Sequence, residues 1–119
     1  MGDQFIPGLL YLVAGLLGAF GQYFYKLGGK RLGEIPLWSN WPLLLGVMFF
    51  IGVMVLFVWS FKLGGRLNVV YPIYATTFLW GTLIGIFIEK EPFTVPQLLS
   101  VGLVIVGTMG VAYFAPASH

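Results

Sequence analysis

The sequence contains no cysteine, and only 8% of its 119 residues are charged. The first absence removes disulfides, thiol catalysis and zinc–thiolate sites, and it says nothing of compartment. The second excludes an ordinary soluble domain, in which about a quarter of the residues carry charge. With 59% hydrophobic residues and a mean hydropathy of +0.94, the chain cannot cover a water-facing surface and belongs in a membrane. Histidine is nearly absent too: His119 stands at the very end beside Ser118, where the pair reads as the start of a purification tag. The acids are Asp3, Glu34, Glu89 and Glu91, all near the ends of apolar runs. No paired acid and base, metal-ligand spacing or glycine-rich phosphate loop results, so neither catalysis nor a cofactor or metal is expected. A formal net charge of +2 is too small to point to nucleic acid.

What is present is four apolar runs, at roughly 5–25, 41–61, 69–88 and 95–114, each of about 20 residues and so matched to a hydrocarbon core of about 30 Å. Asp3 is the one charged residue before the first, which has neither a basic n-region nor a small-residue cleavage site, so it reads as a permanent span. The connections are short, which makes neighbouring spans antiparallel and puts both termini on one side. The expected fold is a single all-α membrane domain over 1–119, a four-transmembrane-helix bundle. Lys26, Lys30, Arg31 and Lys90 on one side against Lys62 and Arg66 on the other favour termini outside, by a margin small enough to allow both orientations.

The first span carries Gly8, Gly15, Gly18 and Gly21 at close to helical spacing, a stripe that lets another backbone approach. Pro7 suits its first turn, where a missing N–H is no loss. Gln22 reads equally as a helix–helix hydrogen bond or a ligand contact, and Tyr23 and Tyr25 as an interfacial belt. Gly28 and Gly29 are expected to break the helix, and Trp38 and Trp41 to bracket the return into the bilayer. The second span is apolar all round apart from Ser60, as suits a helix facing lipid. Lys62 to Leu67 (KLGGRL) echoes Lys26 to Arg31 (KLGGKR), weak evidence for duplication because glycines and cations suit any short membrane turn.

The third span is the unusual one. It is apolar enough to cross a bilayer, yet carries Tyr71, Pro72, Tyr74, Thr76, Thr77, Trp80 and Thr82. In lipid each polar group needs a partner, and an anchoring helix has no use for so many. A single Thr can bond back to the preceding turn; the whole set points to a substrate path. Asn68 is placed to cap this helix, and Pro72 falls in its opening turn, where it need not kink it. In the fourth span Ser100 and Gly107 share a face with Gly110 nearby, a seam suited to packing against another helix. The spans hold no acid of the kind that proton-for-cation exchange uses. The charges available to a ligand are cations at the membrane surface, Lys26, Lys62 and Arg66, which suit an anionic headgroup or serve as snorkelling anchors.

These motifs carry a resemblance. Gly21-Gln22 followed by Lys26, Asn68-Val-Val-Tyr71-Pro72, Phe78-x-Trp80-x-Thr82-Leu83, Glu91-Pro92, and Ser100 with Gly107 resemble the small four-helix members of the drug/metabolite transporter superfamily (EamA-like). The more distant branch is the small multidrug resistance proteins, proton-coupled exporters of cations that assemble as antiparallel dimers. Their defining glutamate falls at Gly18 here, which argues against that chemistry. The closer branch is the pair of subunits proposed to flip undecaprenyl phosphate–aminoarabinose across the bacterial inner membrane. That likeness implies flipping of a polyprenyl-phosphate sugar, with Gln22 and Lys26 near its phosphate and Tyr71, Tyr74, Thr77 and Trp80 lining a groove. It implies two chains per unit, identical or different, joined through Ser100, Gly107 and Gly110. A small-molecule exporter and a non-transporting assembly subunit stand as the alternatives.

Overall fold

The computed structural model describes residues 2–116 and is 79% helical. Ser118 and His119 lie outside the described residues. Helix α1 is Phe5–Gly29, α2 is Trp41–Lys62, α3 is Leu67–Tyr74, α4 is Thr77–Phe87 and α5 is Val95–Tyr113. Four stretches are long and apolar enough to cross a membrane, with α3 and α4 together forming the third. No strand occurs among the described residues, so the protein is all-α and multi-pass by length and composition.

Helix α1 is central because it is the one with a narrow surface. Tyr11, Ala14, Gly15, Gly18, Ala19 and Gly21 are buried along it. A methyl added at Gly8 would lie 2.9 Å from Ile73, at Gly15 2.9 Å from the Thr76 hydroxyl, and at Gly18 2.5 Å from the Tyr74 hydroxyl. The same test at Gly21 meets Phe50 at 2.6 Å, so one glycine-lined helix receives α2 on one side and the third span on the other. Van der Waals packing is what such close approach supplies in a lipid setting, where burial from water contributes nothing between spans. Aromatic rings seal the α1–α2 contact, with Tyr11 stacked on Phe57 at 4.5 Å, Tyr25 on Phe50 at 5.0 Å and Phe24 on Phe49 at 5.5 Å.

Helix α5 packs on α3 and α4, on the far side from α2. The spans therefore lie side by side in the order α2, α1, α3/α4, α5, in a slab with principal extents of 53 × 37 × 17 Å. Ala112 is the one buried residue of α5, and Gly102, Gly107 and Gly110 have nothing within 4 Å of a Cβ position.

Polar side chains tie the ends. Asn40 is fully buried; its amide donates to the Gly28 carbonyl (2.9 Å) while its carbonyl oxygen accepts from the Leu43 N–H at the start of α2. On the other side the Ser60 hydroxyl donates to the Pro7 carbonyl (3.0 Å), and Gln4 both donates to Gly64 O (3.0 Å) and accepts from Arg66 N–H (2.8 Å). The Arg66 guanidinium donates to the Pro116 carbonyl (2.6 Å), so Gln4 and Pro116 gather there with the α2–α3 turn.

Three local expectations are corrected. Gly28 and Gly29 do not break α1, which runs on to Gly29; Gly28 instead lets Leu43 of α2 approach, a Cβ there lying 2.7 Å from the Leu43 backbone nitrogen. The echoed KLGG segments consequently differ: the first is helical, the second turns at Gly64 with φ of 95°. Asn68 does not cap, because α3 starts at Leu67 with Arg66 preceding it. That earlier start puts Pro72 inside the helix, where its ring denies the Asn68 carbonyl a partner. The helix then ends at Tyr74 and resumes at Thr77. The joint is made of tightened bonds, Ala75 N–H to Pro72 O (3.0 Å), Thr76 N–H to Ile73 O (3.1 Å) and Phe78 N–H to Ala75 O (3.0 Å).

Gly28→Ala is expected to destabilise the protein by about 1–2 kcal/mol despite alanine's better helix propensity, because backbone must move. Gly52→Ala, with nothing within 4 Å, should be neutral or stabilising by up to about 1 kcal/mol. Thermal unfolding in detergent compares the two. In the same assay Ser60→Ala should cost about 1 kcal/mol through the lost bond to Pro7.

Candidate functional site

The break in the third span and the narrow face of α1 together leave a groove. It has a volume of about 470 Å³ and runs between α1, α4 and the start of α5. Ala19 and Gly81 keep it open, Phe78 and Ile86 give it an apolar wall, and Gln22, Tyr74, Thr77, Thr82, Glu91 and Gln97 bring polar atoms into it. Thr82 is spent on its own helix, donating to Phe78 O at 2.7 Å. Tyr74 is held from behind by Phe57, edge to face at 5.1 Å, with its hydroxyl over Gly18. Gly18 thus makes room for a tyrosine hydroxyl.

One helical turn from Gln22, about 6 Å along α1, the groove continues into a smaller recess of about 150 Å³ that reaches Tyr23, Lys26, Glu89 and Glu91. Here Lys26 Nζ lies 2.8 Å from Glu91 Oε2 and 3.1 Å from Glu89 Oε1. The two acids reach one lysine because the chain after α4 folds back: Glu89 N–H bonds to Ile84 O (3.1 Å) and Glu91 N–H to Gly85 O (2.9 Å). Lys90 between them has φ of 57°, a left-handed conformation that residues with a Cβ seldom adopt.

The eight residues singled out for a ligand separate into two groups. Gln22, Lys26, Tyr74 and Thr77 come together along this groove. The other four do not line it. Tyr71 is 62% exposed on the outer surface of α3. Trp80 turns its indole N–H into a buried position with no partner among the described residues. Lys62 edges a separate apolar hollow on α2 with Ile51, Met54, Val55, Val58 and Trp59. Arg66 belongs to the knot at the opposite end from Lys26. Of the proposed seam, the Ser100 hydroxyl donates back to Pro96 O at 2.8 Å, and Gly107 and Gly110 face open space.

Sequence reasoning missed Gln97, Glu89 and Glu91 as groove residues. Gln97 follows from α5 beginning at Val95 with Thr94 as its cap, which sets the glutamine in the first turn beside the groove. The acids were visible as Glu-Lys-Glu, but their convergence depends on the left-handed lysine between them, which no pattern announces.

No protein-family model matches the chain, and no curated protein or solved structure does either.

The hydroxyl of Thr76, at the joint of the third span, is buried against Gly15 without a hydrogen-bond partner among the described residues. Thr76→Val keeps the shape and removes that burden, so it is expected to raise stability by up to about 1 kcal/mol. Thermal unfolding in detergent checks it, and a clear loss would reveal a bond at that hydroxyl.

Proposed function

We propose that this protein is a membrane transporter subunit that flips a lipid-linked sugar of the polyprenyl-phosphate type, such as undecaprenyl phosphate–aminoarabinose, across the bacterial inner membrane. The observation that carries the reading is the groove of Gln22, Tyr74, Thr77 and Gln97 beside apolar Phe78 and Ile86, ending at Lys26. Amide and hydroxyl groups without charge suit sugar hydroxyls, an ammonium suits a phosphate, and an open apolar flank lets the chain stay in lipid. The motif resemblance to the small four-helix drug/metabolite transporters supports the same cargo. A slab one chain wide has no second wall for a headgroup, so the working unit is two chains, identical or related, closing over the groove. Ser100, Gly107 and Gly110 on the uncovered face of α5 are the expected contact.

The second reading, a small multidrug-type exporter, draws on one specific observation: at the end of the groove two carboxylates face a single lysine, a balance that favours cations. It requires proton-coupled uptake of a cationic dye by vesicles.

In proteoliposomes the wild-type chain, with its partner where one is needed, is expected to translocate a polyprenyl-phosphate sugar. Lys26→Ala should reduce that rate by at least about tenfold, the loss of one charge-assisted phosphate contact of about 1.5–3 kcal/mol, while insertion is unchanged. Undiminished flipping by Lys26→Ala would contradict the proposal.

A further inference from the structure

Lys26 is not waiting as a free cation. Its ammonium is held by Glu91 at 2.8 Å and Glu89 at 3.1 Å, and the cluster as a whole carries one negative charge. The loop is shaped for this arrangement, with backbone bonds from residues 89 and 91 to the last turn of α4 and Lys90 in the left-handed region between them. The Glu91 carboxylate also rests against Gly85, where any side chain would push it aside.

A lone ammonium at the membrane surface would be met continually by the anionic phospholipids around it, which are far more abundant than any carrier lipid. Two carboxylates already on Lys26 remove that attraction, and a phosphate alone must displace them with nothing to offset the exchange. The Lys26–Glu91 pair is largely exposed, at 43% and 51%, so that bond is weak enough to yield, while Glu89, at 18%, is held more closely. An anion that also fills the adjoining groove gains contacts with Gln22, Thr77 and Gln97 that a simple phospholipid headgroup cannot make. Discrimination of this kind comes from a built-in competitor as much as from attraction to the right ligand.

We infer that Glu89 and Glu91 are specificity-determining residues of the groove: intramolecular competitors that withhold Lys26 from ordinary anionic phospholipids and release it to a phosphate whose attached sugar occupies the groove. This rests on the reading of the groove as a lipid-phosphate path.

The test uses the full chain in detergent and native mass spectrometry, with two probes, short-chain phosphatidylglycerol and a farnesyl-phosphate hexose. Wild-type protein should prefer the glycolipid. The Glu89→Gln/Glu91→Gln variant should bind phosphatidylglycerol about five- to tenfold more tightly, with a smaller gain for the glycolipid, so that the preference narrows. Glu91→Asp, which keeps the charge, should retain the preference. If the double variant does not fold, Glu91→Gln alone should move the ratio in the same direction by about two- to threefold. An unchanged ratio in a folded carboxamide variant overturns the inference. In that event the groove reading still stands, provided the glycolipid binds and Lys26→Ala loses it. Glycolipid binding that is absent, or indifferent to Lys26→Ala, removes the groove reading and this inference together.

Discussion

The whole arrangement depends on how closely other backbones can approach α1. Gly15 and Gly18 admit the joint of the third span on one side, and Gly21 and Gly28 admit α2 on the other. Were these positions filled, the spans would stand apart by the width of a side chain, and the polar groups near Thr76 would face lipid. The close approach shelters the joint of the interrupted helix, because the Tyr74 carbonyl and the Thr77 N–H lie against Gly15, each 3.5 Å from a Cβ placed there. The break lies about 12 Å along the span from Leu67, near the middle of a stretch long enough to cross a hydrocarbon core of about 30 Å.

The groove is the other consequence of that break. A straight third helix would present one continuous stripe to α1; the joint at Ala75 and Thr76 redirects the second half and leaves Thr77, Phe78 and Gly81 along an open seam. The ion cluster closes one end of the seam and the Gln4–Gly64–Arg66–Pro116 knot gathers the chain at the other. Polar groups are thus disposed by depth: an ion cluster at one end, a hydrogen-bonded knot that includes Arg66 at the other, neutral hydroxyls and amides between. That gradient suits a molecule with a charged head, a neutral hydroxyl-bearing part and an apolar tail.

Much of this was legible in the chain. Four apolar runs yielded four spans with ends within a few residues of expectation, since bilayer thickness fixes span length. The glycine stripe of α1 was readable because a helix repeats its faces regularly. The interruption of the third span was not, since Pro72 seemed to fall in an opening turn that in fact begins earlier, at Leu67. The site was half legible. Gln22, Lys26, Tyr74 and Thr77 converge, as helical spacing on two parallel spans allows. Tyr71, Trp80, Lys62 and Arg66 do not, because residue type marks polarity in a membrane span but leaves open which way it points. The pairing of Lys26 with Glu91 joins residues 65 positions apart through a left-handed lysine, a contact that local sequence does not encode.

The central claim is that a water-reachable, cargo-receiving groove runs between α1 and the third span. The absence of cysteine makes it directly measurable, because any thiol introduced singly is the only one in the protein. With Gln22→Cys, Gly81→Cys and Met54→Cys made one at a time in membranes, a small water-soluble maleimide should modify the first two and spare the third, which lies on the outer face of α2. A polyprenyl-phosphate sugar should then protect positions 22 and 81. Equal labelling at all three, or protection confined to position 54, would contradict it.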